Sequence, residues 1–242
     1  MYDLNVQWPG STAALKPVLS FSQRLGYKTV AINYTVTKIK GTSSPLTSQV
    51  MEQLSEAFPN LEILRRLTVV LDDTLRNQSF ASLAANFDLV AVRPLSEKAL
   101  QSAATTLDID LISMEMTSRS PFYLRHSIAC AAVSRGVRFE ICYGQAVRNA
   151  EARRYTITNA AAIIRATRGR GIVLSSGSQD VLSARAPADV VNLVNIWGLN
   201  NQAAHSSVSK EAQAVVCSGK LRLNSAKQAV VVSPPHKKLR LD

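Results

Sequence analysis

A chain of 242 residues, 46% apolar and 19% charged, is long enough for one large domain or two small ones and to bury a sizeable core. Its longest apolar runs fall far short of the roughly 20 residues that cross a bilayer; the start MYDLNVQWPG has no basic-then-apolar leader, so the expectation is a soluble intracellular protein with no membrane partner. The formal charge of +11 lies wholly in the second half: residues 1–118 hold ten Lys and Arg against eleven Asp and Glu, residues 119–242 eighteen against six, which points to a polyanionic partner.

Short β-rich runs alternate with stretches of helical spacing. DLNV (3–6) precedes a predicted helix over 15–26, and YKTVAINY (27–34) one over 46–58. EILRRLTVVL (62–71) runs into Asp72–Asp73, read as a turn and helix N-cap before TLRNQ. FDLVAVRP (87–94) leads to a helix over 96–107 and DIDLISM (108–114) to one over 121–136. VRFEICY (137–143) is followed by the connection QAVRNAEARRYT and a helix over 156–169; GIVLSSG (171–177) by helices over 188–199 and 206–219. Ser96 reads as an N-cap, Pro121 as a first-turn proline, and Gly26 and Gly136 as helix stops.

Runs such as TVAIN, LVAV and FEIC are apolar on both faces, as strands of a parallel sheet covered by helices must be. Seven such strands suit a slightly short (β/α) TIM-like barrel over residues 1–225 better than an open sheet. Residues 226–242 read as a basic, disordered tail.

On a barrel, chemistry gathers at the C-terminal strand ends, here Asn5, Gln7, Asn33, Asp72, Asp73, Arg93, Glu115, Tyr143, Ser175 and Ser176. His126, His205 and His236 fall elsewhere, so no paired-histidine metal site forms. Ser175 and Ser176 lack a nucleophile elbow and a base. Asp72, Asp73 and Glu115 as a Mg²⁺ cluster is the weaker alternative to a turn plus a salt-bridge carboxylate. Cys130, Cys142 and Cys217 have no CxxC spacing and are expected to be buried thiols. Neither a dinucleotide nor a Walker loop follows any strand. No catalytic residue and no metal ligand are therefore assigned, and no cofactor is expected on this chain.

What remains is a set of arginines at turns, suited to phosphate: Arg119, Arg148, Arg153, Arg154, Arg168, Arg170 and Arg185 are the candidate RNA contacts. In RGRG the glycines end a helix and enter a strand, the reverse of a phosphate cradle; Gly169 is expected to be the left-handed stop residue. In the tail, Lys237, Lys238 and Arg240 form a candidate nuclear localisation signal.

These stretches together resemble one family, the TIM-barrel protein subunit of archaeal and eukaryotic ribonuclease P, shared in eukaryotes with ribonuclease MRP. The resemblance runs from about residue 2 to residue 222. It rests on DLNV, LGYKTVAINYTV (25–36), RLTVVLDD (66–73), FDLVAV and its following proline (87–94), LDIDLISM (107–114), SPFYLRHSIACAAVSRGVRFEICYG (120–144), ARRYTITNA (152–160) and RGIVLSSGS (170–178). WPG near the start and RGRG look like a fungal version.

The resemblance implies a distorted TIM barrel related to the polymerase and histidinol phosphatase barrel, whose first-strand HxH is replaced here by Asp3, Leu4 and Asn5. It further implies a non-catalytic, RNA-binding subunit supporting 5′ maturation of precursor tRNA and pre-ribosomal RNA processing, with catalysis by the RNA and Mg²⁺ held there. The implied partners are the ribonuclease P and MRP RNAs, precursor tRNA, a small ferredoxin-like subunit and other protein subunits, in nucleus and nucleolus. The alternative is a metal-dependent phosphoesterase of barrel type.

Overall fold

The computed structural model describes residues 1–37, 44–72 and 84–224. Seven strands, β1 (Tyr2–Gln7), β2 (Thr29–Val36), β3 (Glu62–Leu71), β4 (Leu89–Pro94), β5 (Leu111–Ser113), β6 (Arg138–Cys142) and β7 (Ile172–Ser175), pair in parallel in chain order. A single parallel bridge between Val6 and Ser178 brings the end of the sheet round to its beginning, with the Gln7 amide donating to the Ser178 carbonyl at 2.8 Å. The result is the TIM-like barrel expected from the alternating pattern. Its distortion is local: β5 is three residues long and meets β4 only through Ala91–Leu111 and Val92–Ile112.

Around the barrel lie α1 (Thr12–Arg24), α2 (Ser48–Ala57), α3 (Glu97–Thr105), α4 (His126–Ser134), α5 (Gly144–Arg148), α6 (Ala150–Thr167), α7 (Pro187–Ile196), α8 (Asn201–Ser207) and α9 (Lys210–Asn224). Start signals work through their side chains: the Ser96 hydroxyl accepts from the Ala99 amide at 3.0 Å, and Pro187 takes the first turn of α7. Gly26 (φ 92°) and Gly136 (φ 89°) stop their helices in the left-handed region. Among the described residues, no helix is long and apolar enough to cross a membrane.

The outward strand faces bury Leu67, Val69, Val92, Ile112, Phe139 and Ile141 against the helices. Inside the barrel, Ala31, Leu64, Leu89, Ala91, Leu111 and Val173 form an apolar floor closed by Ala212, Val215 and Val216 of α9. That helix lies so close that a Cβ on Gly219 would stand 2.3 Å from the Asp88 carbonyl oxygen. Arg222 locks it in place, donating to the Ala84, Phe87 and Asp88 carbonyls at 3.0–3.2 Å and pairing with Asp110 at 3.3 Å.

Several local expectations need correction. QAVRNAEARRYT is helical, because Asn149 both ends α5 and caps α6, accepting from the Glu151 and Ala152 amides at 2.8 and 3.2 Å. The helix expected over 121–136 begins only at His126, since the chain stays extended at Arg125 after burying Leu124. The last helical stretch breaks in two where Val208 is buried and its carbonyl accepts from the Tyr2 amide at 3.2 Å. Cys130 and Cys217 are exposed on the outer faces of α4 and α9, and Cys142 is half-buried. Asp73, TLRNQ and the tail with Lys237, Lys238 and Arg240 lie outside the described residues.

Candidate nucleic-acid interface

Strand residues two apart share a face, so the polar residues in the C-terminal halves of the strands are aimed inward together. Above the apolar floor they form one layer. Arg66 and Glu140 face each other with both side chains at zero exposure, one guanidinium nitrogen donating to Glu140 Oε2 at 2.6 Å and the other to Oε1. Ser113 donates to the same carboxylate at 2.6 Å and Asn5 at 3.1 Å; Asn33 bridges Asn5 and Thr68. Burial alone would push the Glu140 carboxyl up, but the Arg66 guanidinium overrides it and holds it below the usual carboxylate range. Asp3 is pushed up by its burial, with Glu140 adding to the effect, against the Ser176 and Asn5 amides that donate to its Oδ1 at 3.0 and 3.2 Å.

The expected strand-end groups are therefore largely spent on each other. Ser175 and Ser176 are buried at 1% and 0% exposure, out of reach of any substrate. The Tyr143 hydroxyl is turned into the wall, accepting from the Arg185 amide at 3.1 Å. A hollow of about 600 Å³ does open at this mouth, lined among others by Gln7, Arg93, Glu115, Gln145 and Gln179. Two carboxylates line it, Glu115 and Glu151, and the strand-end one, Glu115, is engaged: Thr117 donates to it through amide and hydroxyl at 2.9 and 2.6 Å, and Arg93 sits at 3.4 Å. Burial raises Glu115, yet those donors outweigh it and hold the carboxyl below its ordinary value, which suits an ion pair and not a base. Among the described residues, no group of three or more His, Cys, Asp and Glu is placed to hold a metal ion.

The seven candidate arginines divide by what they already hold. Arg153 donates to the Ala146 and Val147 carbonyls at 2.7 and 3.1 Å, finishing α5 from outside; Arg185 donates to the Leu182 and Ala184 carbonyls at 2.8 and 2.7 Å. Arg148 pairs with Asp180. Arg119, Arg154, Arg168 and Arg170 are exposed, and their guanidinium groups have no partner within the described chain.

The candidates also divide by face. Arg119, Arg148, Arg153, Arg154 and Arg185 lie in the segments that follow strand ends, whereas Arg168 and Arg170 precede β7 at the opposite end. There they border a hollow of about 820 Å³ together with His205 and Lys210. Gly169 (φ 70°) is left-handed just past α6, as expected, and Arg168 at the helix cap before it is left-handed as well (φ 54°, ψ 36°). The Arg168, Gly169 and Arg170 amides all return to helix carbonyls, so this turn has no free amides with which to cradle a phosphate.

The family model described as RNase P subunit p30 matches residues 1–224. The chain belongs to the ribonuclease P subunit p30 family. It is 34% identical to the ribonuclease P/MRP protein subunit RPP1 of Saccharomyces cerevisiae, over 96% of this chain and 84% of that one. To the ribonuclease P protein subunit p30 of Mus musculus it is 33% identical, over 91% and 86% of the two chains. Its fold matches a chain in a cryo-EM structure of archaeal ribonuclease P with mature tRNA, with a TM-score of 0.71 at 13% identity, covering 98% of this chain and all of that one.

In this member of the p30 family, sequence reasoning missed two things. The Arg66–Glu140 pair spans 74 positions in the chain, and only the inward alternation of polar residues hinted at it. Arg165 lies inside a helix, beyond the reach of a list of turn arginines, yet it is exposed and, among the described residues, its guanidinium has no partner, like those of Arg168 and Arg170. Helical spacing back from Arg168 would have found it.

Proposed function

We infer that this chain is a protein subunit of ribonuclease P, acting in 5′ maturation of precursor tRNA, and that it serves ribonuclease MRP in pre-ribosomal RNA processing as well. The observation that carries the reading is the family match across all of residues 1–224, joined to 34% identity with the yeast subunit named for both particles. The chain works as an RNA-binding scaffold, and the bond cleavage belongs to the particle's RNA, with its Mg²⁺. The phosphate contacts come first from Arg119, Arg154, Arg168 and Arg170, whose guanidinium groups are unspent; Arg148, Arg153 and Arg185 add to them only where RNA displaces or joins their present partners. A small ferredoxin-like subunit and other subunits of the particle complete the assembly, in nucleus and nucleolus, with Lys237, Lys238 and Arg240 as the import signal.

A metal-dependent phosphoesterase has less support, since Glu115 is tied to Arg93 and Thr117 and the strand-end serines are buried. The test is direct. Purified chain alone should leave precursor tRNA uncut, and its depletion from cells should accumulate precursors that keep their 5′ leaders. Metal-dependent cleavage by the isolated chain, abolished by Glu115→Gln, would overturn the reading.

A further inference from the structure

The outward face of α6 carries more order than a scatter of basic residues. With about 100° of turn per residue, Arg154, Thr158, Ala161 and Arg165 fall within an arc of roughly 60°, and Arg168 continues the same line at the helix end. Arg154, Thr158, Arg165 and Arg168 are exposed, and Ala161 and Ala162 half-buried, so the line is a surface from end to end. None of the three guanidinium groups has a partner within the described chain. The single acid of the helix, Glu151, stands in its first turn beside Arg154.

Each end of this line opens into a hollow. One, of about 530 Å³, is bordered by Glu151, Arg154, Tyr155 and Thr158; the other is the 820 Å³ hollow with Arg168, Arg170, His205 and Lys210. Between them the arc offers Thr158 and Ala161, flanked by the exposed Ile157, and no charge. Arg154 and Arg165 are separated by about 17 Å of helix rise. Neighbouring phosphates on one strand of a duplex are only about 3.4 Å apart along the axis. Two cationic ends with an uncharged centre thus fit two backbones on either side of a groove better than one run of adjacent phosphates. No aromatic side chain lies on the arc itself, and the nearest, Tyr155, sits beside it at one end only, short of the run of stacking platforms that single strands use.

We propose that the outer face of α6 is a docking rail for a helical RNA segment, with Arg154 gripping one backbone and Arg165, Arg168 and Arg170 the other. The rail rests on the ribonuclease P reading and specifies how the RNA is held: by shape and phosphate, across a groove, with no base readout.

The test uses the full-length chain, both purified and as a tagged subunit in the particle isolated from cells. The purified chain is titrated with a 20-base-pair duplex RNA and with a single strand of equal length over a range of salt. The triple variant Arg154→Ala/Arg165→Ala/Arg168→Ala should bind the duplex at least tenfold more weakly and lower the salt slope by about three units, about one per phosphate contact. The corresponding Arg→Lys triple should keep the slope, and Arg24→Ala on α1 should change nothing. In the particle, RNA crosslinks should map to peptides of residues 150–170. Three results would overturn the rail: an unchanged slope, a larger loss for the single strand than for the duplex, or a particle that loses a protein subunit while its RNA crosslinks stay in place. A wild-type particle that carries no RNA would instead sink the ribonuclease P reading itself.

Discussion

Arg66 and Glu140 share the centre of the barrel, two guanidinium nitrogens against two carboxylate oxygens, with neither side chain touching solvent. The arginine reaches further, to the Leu4 carbonyl at 2.6 Å, so the pair also ties β1 to β3 and β6. Removing one partner leaves the other charge buried without its counterion, which costs far more than the net worth of the pair. Arg66→Met or Glu140→Gln alone should each lower stability by about 3–5 kcal/mol. Arg66→Met combined with Glu140→Gln should cost much less than the sum of the two. Urea unfolding of the four proteins checks this, and additive losses would show that the charges do not depend on each other.

Gly219 sets the distance between α9 and the floor of the barrel. Alanine is the better helix former by about 0.5–1 kcal/mol on an open surface. Here its Cβ would meet a backbone oxygen at 2.3 Å and Leu89 Cδ2 at 2.9 Å, and the oxygen cannot move away cheaply. Gly219→Ala should therefore destabilise by about 1–3 kcal/mol. A rise in melting temperature would mean that α9 is not seated against β4.

Asp110 couples the same floor to pH. Burial pushes its carboxyl from 3.8 up to about 6, against the pull of Arg222 and the hydrogen bond from the Val90 amide at 2.8 Å. Between those two values the folded chain holds a proton that the unfolded chain has released, so this group's contribution to stability is full below pH 4 and is lost as pH rises through 6. Asp110→Asn should flatten the change in melting temperature between pH 5 and 7.5 relative to wild type. An identical pH profile for the two proteins would refute the assignment. Glu140, lowered and not raised, acts with the opposite sign and is common to both.

Arg168 separates stability from binding. A non-glycine residue in the left-handed region costs about 1–2 kcal/mol, and the chain places a cation there where glycine would fit better. Arg168→Gly should leave the fold as stable or raise it by up to about 1 kcal/mol, since part of the relief is returned as unfolded-chain entropy. The same change should weaken duplex RNA binding and its salt dependence. Loss of stability together with unchanged RNA binding would make Arg168 a structural residue.

The barrel was legible in the sequence because its signals are local. Two-faced apolar runs such as LVAV, helix stops at Gly26 and Gly136, and the cap at Ser96 each act within a few residues, and each appears in the fold. The errors arose where a distant contact decided the outcome. Asn149 looked like a loop residue and is a one-residue hinge between two helices; Val208 looked helical and is pulled out of line by the Tyr2 amide. The candidate surface was legible only as a list of arginines. Which of them are spent depends on carbonyls and carboxylates brought near by folding, as for Arg153 and Arg148, and that could not be read from spacing.

The central claim, that this chain works within an RNA-catalysed particle, is tested most directly by isolating the tagged full-length chain from cells and assaying the eluate on precursor tRNA. The expected result is cleavage at the 5′ end of the mature tRNA that disappears when the eluate is treated with a nuclease which is then inactivated before substrate is added. Cleavage that survives that treatment, or an eluate with neither RNA nor cleavage, would contradict it.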